Sequence, residues 1–340
     1  MKKIFLSVGF AVVLVSSTMG QSLQLATQAY ELRMNGKIDQ AFVLLDSALA
    51  VYPDSAVLWF EKGRCYDWIK VEGTSKFIHA YTKLSPKIKK SRKCLYRAAG
   101  LNPSNARYHQ WAAQSGALHF MVGIYSPWEW PVLPFRTRSM IRHARLSVQL
   151  EPDNPAYRYD CINLLKLGSF WGGSGKEARD ETLKLEALDP VYGAMARREI
   201  TTKKEHFDMA ATLRALEPAY PDHPQLNRSL GRITRAHAEK SRDYTLRWIE
   251  ADPLNVEAIN QLYNLTPDSL KEDILPHLEA YLARAENSYT VYQSAGCELL
   301  GKYYDLKSDP ERAGFYKRRS KELYPWSAMA AMGDWKPPFE

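Results

Sequence analysis

The chain has 340 residues and a net charge of +8, which falls to +6 without the two lysines at its start. A surplus that modest favours acidic partners or anionic surfaces and does not point to nucleic acid. Its four cysteines form no CxxC pair and no zinc spacing.

Residues 1–20 read as an export signal. Met1-Lys2-Lys3 is a positive start, Ile4 to Val15 is apolar, and Ser16 to Gly20 is mostly small and polar. The apolar run has 12 residues, whereas a spanning helix needs about 20. Cleavage near Gly20 is expected, with an uncleaved anchor as the alternative. No Cys follows the run, so a lipoprotein anchor is not expected. The mature chain is expected to be exported, periplasmic or secreted, with no transmembrane segment after cleavage.

From there a short signature keeps returning: Tyr52-Pro53-Asp54, Asn102-Pro103-Ser104-Asn105, Glu151-Pro152-Asp153-Asn154, Asp189-Pro190, Tyr220-Pro221-Asp222, Asp252-Pro253-Leu254-Asn255 and Tyr324-Pro325. Proline cannot donate a backbone hydrogen bond and biases the residue before it away from the helical region. The Asp, Asn or Ser beside it can cap the next helix. The intervals are 50, 49, 38, 31, 32 and 72 residues, the last being two units with one proline missing. The underlying unit is about 34 residues.

Between the prolines, apolar and small residues recur at helical spacing. In the first unit these are Leu25, Ala29, Leu32, Ala41, Leu45, Ala48 and Pro53, with Gly36 in the turn. The second has Trp59, Gly63, Tyr66, Leu95, Ala98 and Pro103 around about 16 extra residues. The third has Ala113, Ala144 and Pro152 around about 15 extra. In the fourth, Ser174 and Glu177 have capping-box spacing after Gly172-Gly173. The fifth is degenerate, the seventh carries Pro267 in its turn, and the eighth returns to form with Leu300, Gly301, Tyr304, Ala313 and Pro325.

This register resembles the tetratricopeptide repeat family over residues 22–327, most closely in units 1, 2 and 8, and more loosely resembles exported bacterial members. The resemblance implies an all-α, right-handed α-solenoid of about eight helix pairs, residues 21–327, followed by a tail, 328–340. It also implies that first helices line a concave groove where a protein or peptide partner lies. The groove positions would be Tyr30, Arg33, Phe60, Arg64, Gln110, Gln114, Tyr159 and Asn163. The Lys/Asn set that clamps a C-terminal carboxylate in chaperone-binding members is absent, so that role is not expected.

The two insertions form a second candidate surface. One brings Lys87, Lys89 and Lys90; the other brings Trp128, Trp130 and Arg136. Emerging on one edge, they suit an acidic partner or an anionic lipid or glycan surface of the envelope. The plainer alternative folds the tryptophans down over the array and leaves the lysines as a solvated face. Cys65 and Cys94 fall in the two helices of one unit, compatible with a bridge or with two buried thiols.

Enzyme chemistry finds little support. No HExxH occurs among the eight histidines, and Gly172 to Lys176 fails as a phosphate loop because Phe170 and Glu177 stand where Gly and Ser or Thr are required. Neither cofactor nor metal is expected. The expectation is a non-enzymatic interaction scaffold of the cell envelope, with a peripheral surface binder as the alternative.

Overall fold

The computed structural model describes residues 20–67, 77–124, 127–202 and 207–325. The signal segment and the tail therefore lie outside the described residues, apart from Gly20. Among the described residues all regular structure is helical. Eight helix pairs follow one another: α1 (residues 20–34) with α2 (Ile38–Val51), α3 (Ala56–Asp67) with α4 (Phe77–Leu101), and α5 (Ala106–Gly123) with α6 (Leu133–Leu150). Then come α7 (Pro155–Leu165) with α8 (Gly175–Leu188), α9 (Pro190–Ile200) with α10 (Met209–Leu216), and α11 (Pro224–Ile233) with α12 (Ala238–Ala251). The last two are α13 (Val256–Leu265) with α14 (Leu275–Ala285) and α15 (Thr290–Leu306) with α16 (Pro310–Leu323). This is the expected α-solenoid of tetratricopeptide-like pairs.

The punctuation works through caps. The Asn154 carboxamide accepts from the Tyr157 amide, Asn255 from Ala258, and Asp189 from both Val191 and Tyr192, each satisfying a donor the first helical turn would leave unpaired. At Asp189-Pro190 the arrangement is tighter than the sequence suggests. Asp189 ends α8 and caps α9, and Pro190 is already the first residue of α9, a position that needs no amide donor. Ser174 caps α8 by accepting from the Glu177 amide at 3.2 Å. The Glu177 carboxylate does not complete a capping box. It takes a two-pronged bond from Arg145 of α6, at 2.7 and 2.6 Å.

Small residues let each pair close. Ala41, Ala98, Ala144, Ala178 and Ala313 are all buried. At Gly63 of α3 a side chain is sterically excluded, because a Cβ there would sit 2.7 Å from Leu95 of α4. All four cysteines are buried. Successive first helices also touch, α7 with α9, α9 with α11, α11 with α13 and α13 with α15, which sets them on the inside of the curve.

The array closes on itself. Buried residues of α1–α3, including Ala29, Ile38, Leu45 and Leu58, share one apolar core with α12–α16, including Ile259, Leu278, Tyr281 and Leu299. Tyr30 meets Tyr289 edge-on, with ring centroids 5.7 Å apart, and the Asn35 carboxamide oxygen accepts from the Thr290 amide at 3.2 Å. Gly36, in the α1–α2 turn, has φ +72°, and a Cβ there would lie 3.0 Å from both Pro325 and the Tyr324 ring. Glycine is required for the conformation and for the fit.

Candidate interaction surface

The expected groove residues fall at the contacts between successive first helices. Arg33 of α1 donates to Glu61 of α3 at 2.6 Å, with both side chains at most 1% exposed. The Arg64 guanidinium lies 3.3 Å over the Trp111 ring of α5, and Phe60 stacks on Tyr108 at 4.8 Å. Gln110 donates to Asp160 of α7 and accepts from Ser147 at 3.1 Å, while Gln114 donates to the same Asp160 oxygen at 3.0 Å. Burial raises the Asp160 pKa, and the two amides work in the opposite direction. Tyr159 tilts against Tyr192 of α9 at 5.8 Å.

The expectation of an open groove is thereby corrected for five residues. Tyr30, Arg33, Phe60, Arg64 and Gln110 are buried. The reason is the tight curve: first helices approach so closely that these positions meet the next repeat before they meet solvent. Gln114 is exposed, and Tyr159 and Asn163 are half-buried on the inner face.

The insertions give a different surface. The start of α5 and the ends of α4 and α6 are fixed at the repeating proline turns, so any added length projects from the opposite edge. The α5 and α6 helices have 18 residues each, against 11 in the following α7 and 14 in α8. At 1.5 Å per residue, α5 reaches about 10 Å beyond α7. The α4 helix, with 25 residues, rises beside them and packs on α5. The three helices form a turret, capped by a 3-10 turn, Pro127–Val132.

At its tip the usual burial order is inverted. Glu129 is only 12% exposed, held by Lys89 of α4 and by Arg136 Nη1 of α6 at 2.7 Å, with His119 Nε2 of α5 3.2 Å away. Burial works against its charge, yet the bond from Lys89 and the positive charge of Lys89 and Arg136 hold the carboxyl below its ordinary pKa. The residues on either side point outward: Trp128 is 92% and Trp130 58% exposed. Trp130 is fixed by an indole N–H donated to the Ile124 carbonyl at 3.0 Å. Met121, Ile124, Val132 and Phe135 are exposed beside them, and Phe170 extends the patch from the next turn. The alternative in which the tryptophans fold down over the array does not occur. Lys89 and Lys90 are exposed, Lys87 and Arg136 partly so.

Beneath the tip runs a buried polar seam. His109 Nε2 lies 3.0 Å from the Pro103 carbonyl and therefore donates; its Nδ1 then accepts from His143 Nδ1 at 2.8 Å. Ser91 and Ser115 meet at 3.3 Å. Burial pushes His119 and His143 down to about 4, helped by Arg92 at the first and by His109 at the second. The seam is neutral, and the charge of the turret lies outside it.

That charge has a sequence signal that the motif reading passed over. From Phe77 to Leu150 there are twelve Lys and Arg residues and one acidic residue, Glu129. The whole chain is only +8, so everything outside this stretch is net acidic.

No protein-family model and no curated protein sequence matches the chain. Among solved structures, it is similar to the crystal structure of yeast Tom70, at 12% identity over 91% of this chain and 79% of that one, with a TM-score of 0.34. It is similar to a human IFIT1 dimer with PPP-AAAA at 13% identity, 90% and 94% coverage and a TM-score of 0.32. For Naa15/Naa10 bound to HypK-THB the figures are 14%, 94% and 56%, and 0.23. At these scores the likeness carries no functional argument.

Proposed function

We propose that the protein is a non-enzymatic interaction scaffold of the cell envelope, exported by its N-terminal signal, with a closed helical body and the α4–α6 turret as its contact element. The observation that carries this is the tip, where large apolar side chains are held in solvent on the basic part of the chain. An exposed apolar patch rimmed by charge marks a contact surface more often than an accident of folding. The pinning of Glu129 makes the display costly to arrange by chance, because two cations, Lys89 of α4 and Arg136 of α6, converge on it to fix the turn. A partner segment lying along Gln114, Tyr159 and Asn163 on the inner face is the second reading, favoured by their remaining exposure.

Crosslinking of the chain in its native envelope, followed by mass spectrometry, tests the choice. Links concentrated at residues 87–93 and 128–138 are expected. Links confined to 114, 159 and 163 would overturn the turret and restore the groove.

A further inference from the structure

We infer that the turret tip seats on an anionic lipid bilayer, with Trp128, Trp130, Val132 and Phe135 in the headgroup boundary and the cations of α4 and α6 facing the lipid phosphates. This rests on the reading of the turret as the contact element and names what it contacts.

Shape is the first support. The tip projects about 10 Å past the neighbouring α7, and a tryptophan that is 92% exposed stands on a protrusion. Interface anchors between proteins are usually aromatic residues that fill desolvated pockets. A projecting tip instead suits penetration of a soft surface. Tryptophan is favoured at the bilayer boundary, where one end of the ring is apolar and the other wet.

The second support is the side-chain set. Aromatic rings alone would suit stacked bases equally well. Met121, Ile124 and Val132 are aliphatic and exposed at the same tip, and hydrocarbon is the surface that rewards them. Interfacial elements combine such a face with flanking Lys and Arg.

Charge complementarity is the third. Among the described residues of the tip the one carboxylate, Glu129, is engaged by Lys89 and Arg136, so it is turned from an incoming phosphate. Arg138 lies 6.0 Å from the ring centre of exposed Phe135, which places a cation directly beside the apolar patch. With the rest of the chain net acidic, an anionic surface would attract the turret and repel the body.

The test is flotation of the full chain with vesicles of two parts phosphatidylcholine to one part phosphatidylglycerol, and with phosphatidylcholine alone. Binding is expected to the first and not the second, to weaken roughly tenfold or more at high salt, and to persist with inorganic phosphate as competitor. Trp128→Ala with Phe135→Ala should lose on the order of tenfold in binding. Lys87→Gln, Lys90→Gln and Arg138→Gln should each lose about fivefold. These side chains lie at the surface, so circular dichroism should show an unchanged fold. Every variant keeps the same N-terminal segment, so differences from the parent report the turret. Equal binding to both vesicles, or variants that bind as the parent does, would overturn the inference. Should vesicles fail while turret crosslinks capture a protein or an RNA, the lipid is wrong and the contact element stands. Crosslinks that avoid the turret would end both.

Discussion

Where the first and last helix pairs meet, the contact is made by Tyr30, Tyr289, Tyr324 and Pro325 over one continuous apolar core. Where α4, α5 and α6 meet beneath the turret tip, Ser91 faces Ser115 and His109 bonds His143, with His119 between them and the Glu129 carboxylate of the tip. The closure gains its stability from apolar area removed from water, which is strong and indifferent to direction. The seam contributes less net energy per contact, but it is directional. An element that must hold two tryptophans at a fixed place in solvent needs direction. An element that must hold the two ends of a long array together needs area.

Four changes separate the two kinds of region. The largest effect is expected at the buried charge pair beside the closure. Glu61→Leu removes the carboxylate that Arg33 meets at 2.6 Å and should cost about 3 to 5 kcal/mol, because a buried guanidinium loses a charged partner. A denaturation midpoint within error of the parent would show that this pair is not what holds the Arg33 charge. Gly36→Val forces a branched residue into a left-handed φ and against Pro325. It should cost about 2 to 3 kcal/mol and raise the distance between spin labels on α2 and α16; an unchanged distance would mean that the ends are not held by this contact.

Acid should act on the turret first. Unfolded histidines take up protons near pH 6.5, whereas His119 and His143 resist until about pH 4. Between those values the unfolded state binds more protons, so the stability they contribute is complete above about 6.5 and declines as pH falls toward 4. The loss should be seen as faster amide exchange in α5 and α6 at pH 4.5 than at pH 7 after correction for the intrinsic rate. Exchange that slows instead would reverse the sign. Smallest of all, Trp128→Ala should shift stability by less than about 0.5 kcal/mol, and a larger loss would mean the ring is packed.

The helix pairs were legible in the sequence because each boundary is local. A proline and a capping Asn or Asp within four residues of one another stop one helix and start the next, and the observed caps at Asn154, Asp189 and Asn255 follow from them. Closure was not legible, since Asn35 and Thr290 are joined by one hydrogen bond that has no local counterpart in the chain. The groove register failed for a related reason. Spacing says which way Arg33 or Gln110 leaves its helix, but not how near the next helix stands. At the turret, Trp128 and Trp130 were visible as candidates, while the pinning of Glu129 was not. Its signal was present all the same, as the single acid between Phe77 and Leu150.

Amide exchange of the full chain with and without anionic vesicles tests most directly the division into a closed body and a projecting contact. Without vesicles, α1, α2, α15 and α16 should be among the slowest segments and should open together. With vesicles, new protection is expected at residues 118–138 alone. Protection along Gln114, Tyr159 and Asn163 with an unchanged tip, or independent opening of α1–α2 and α15–α16, would contradict it.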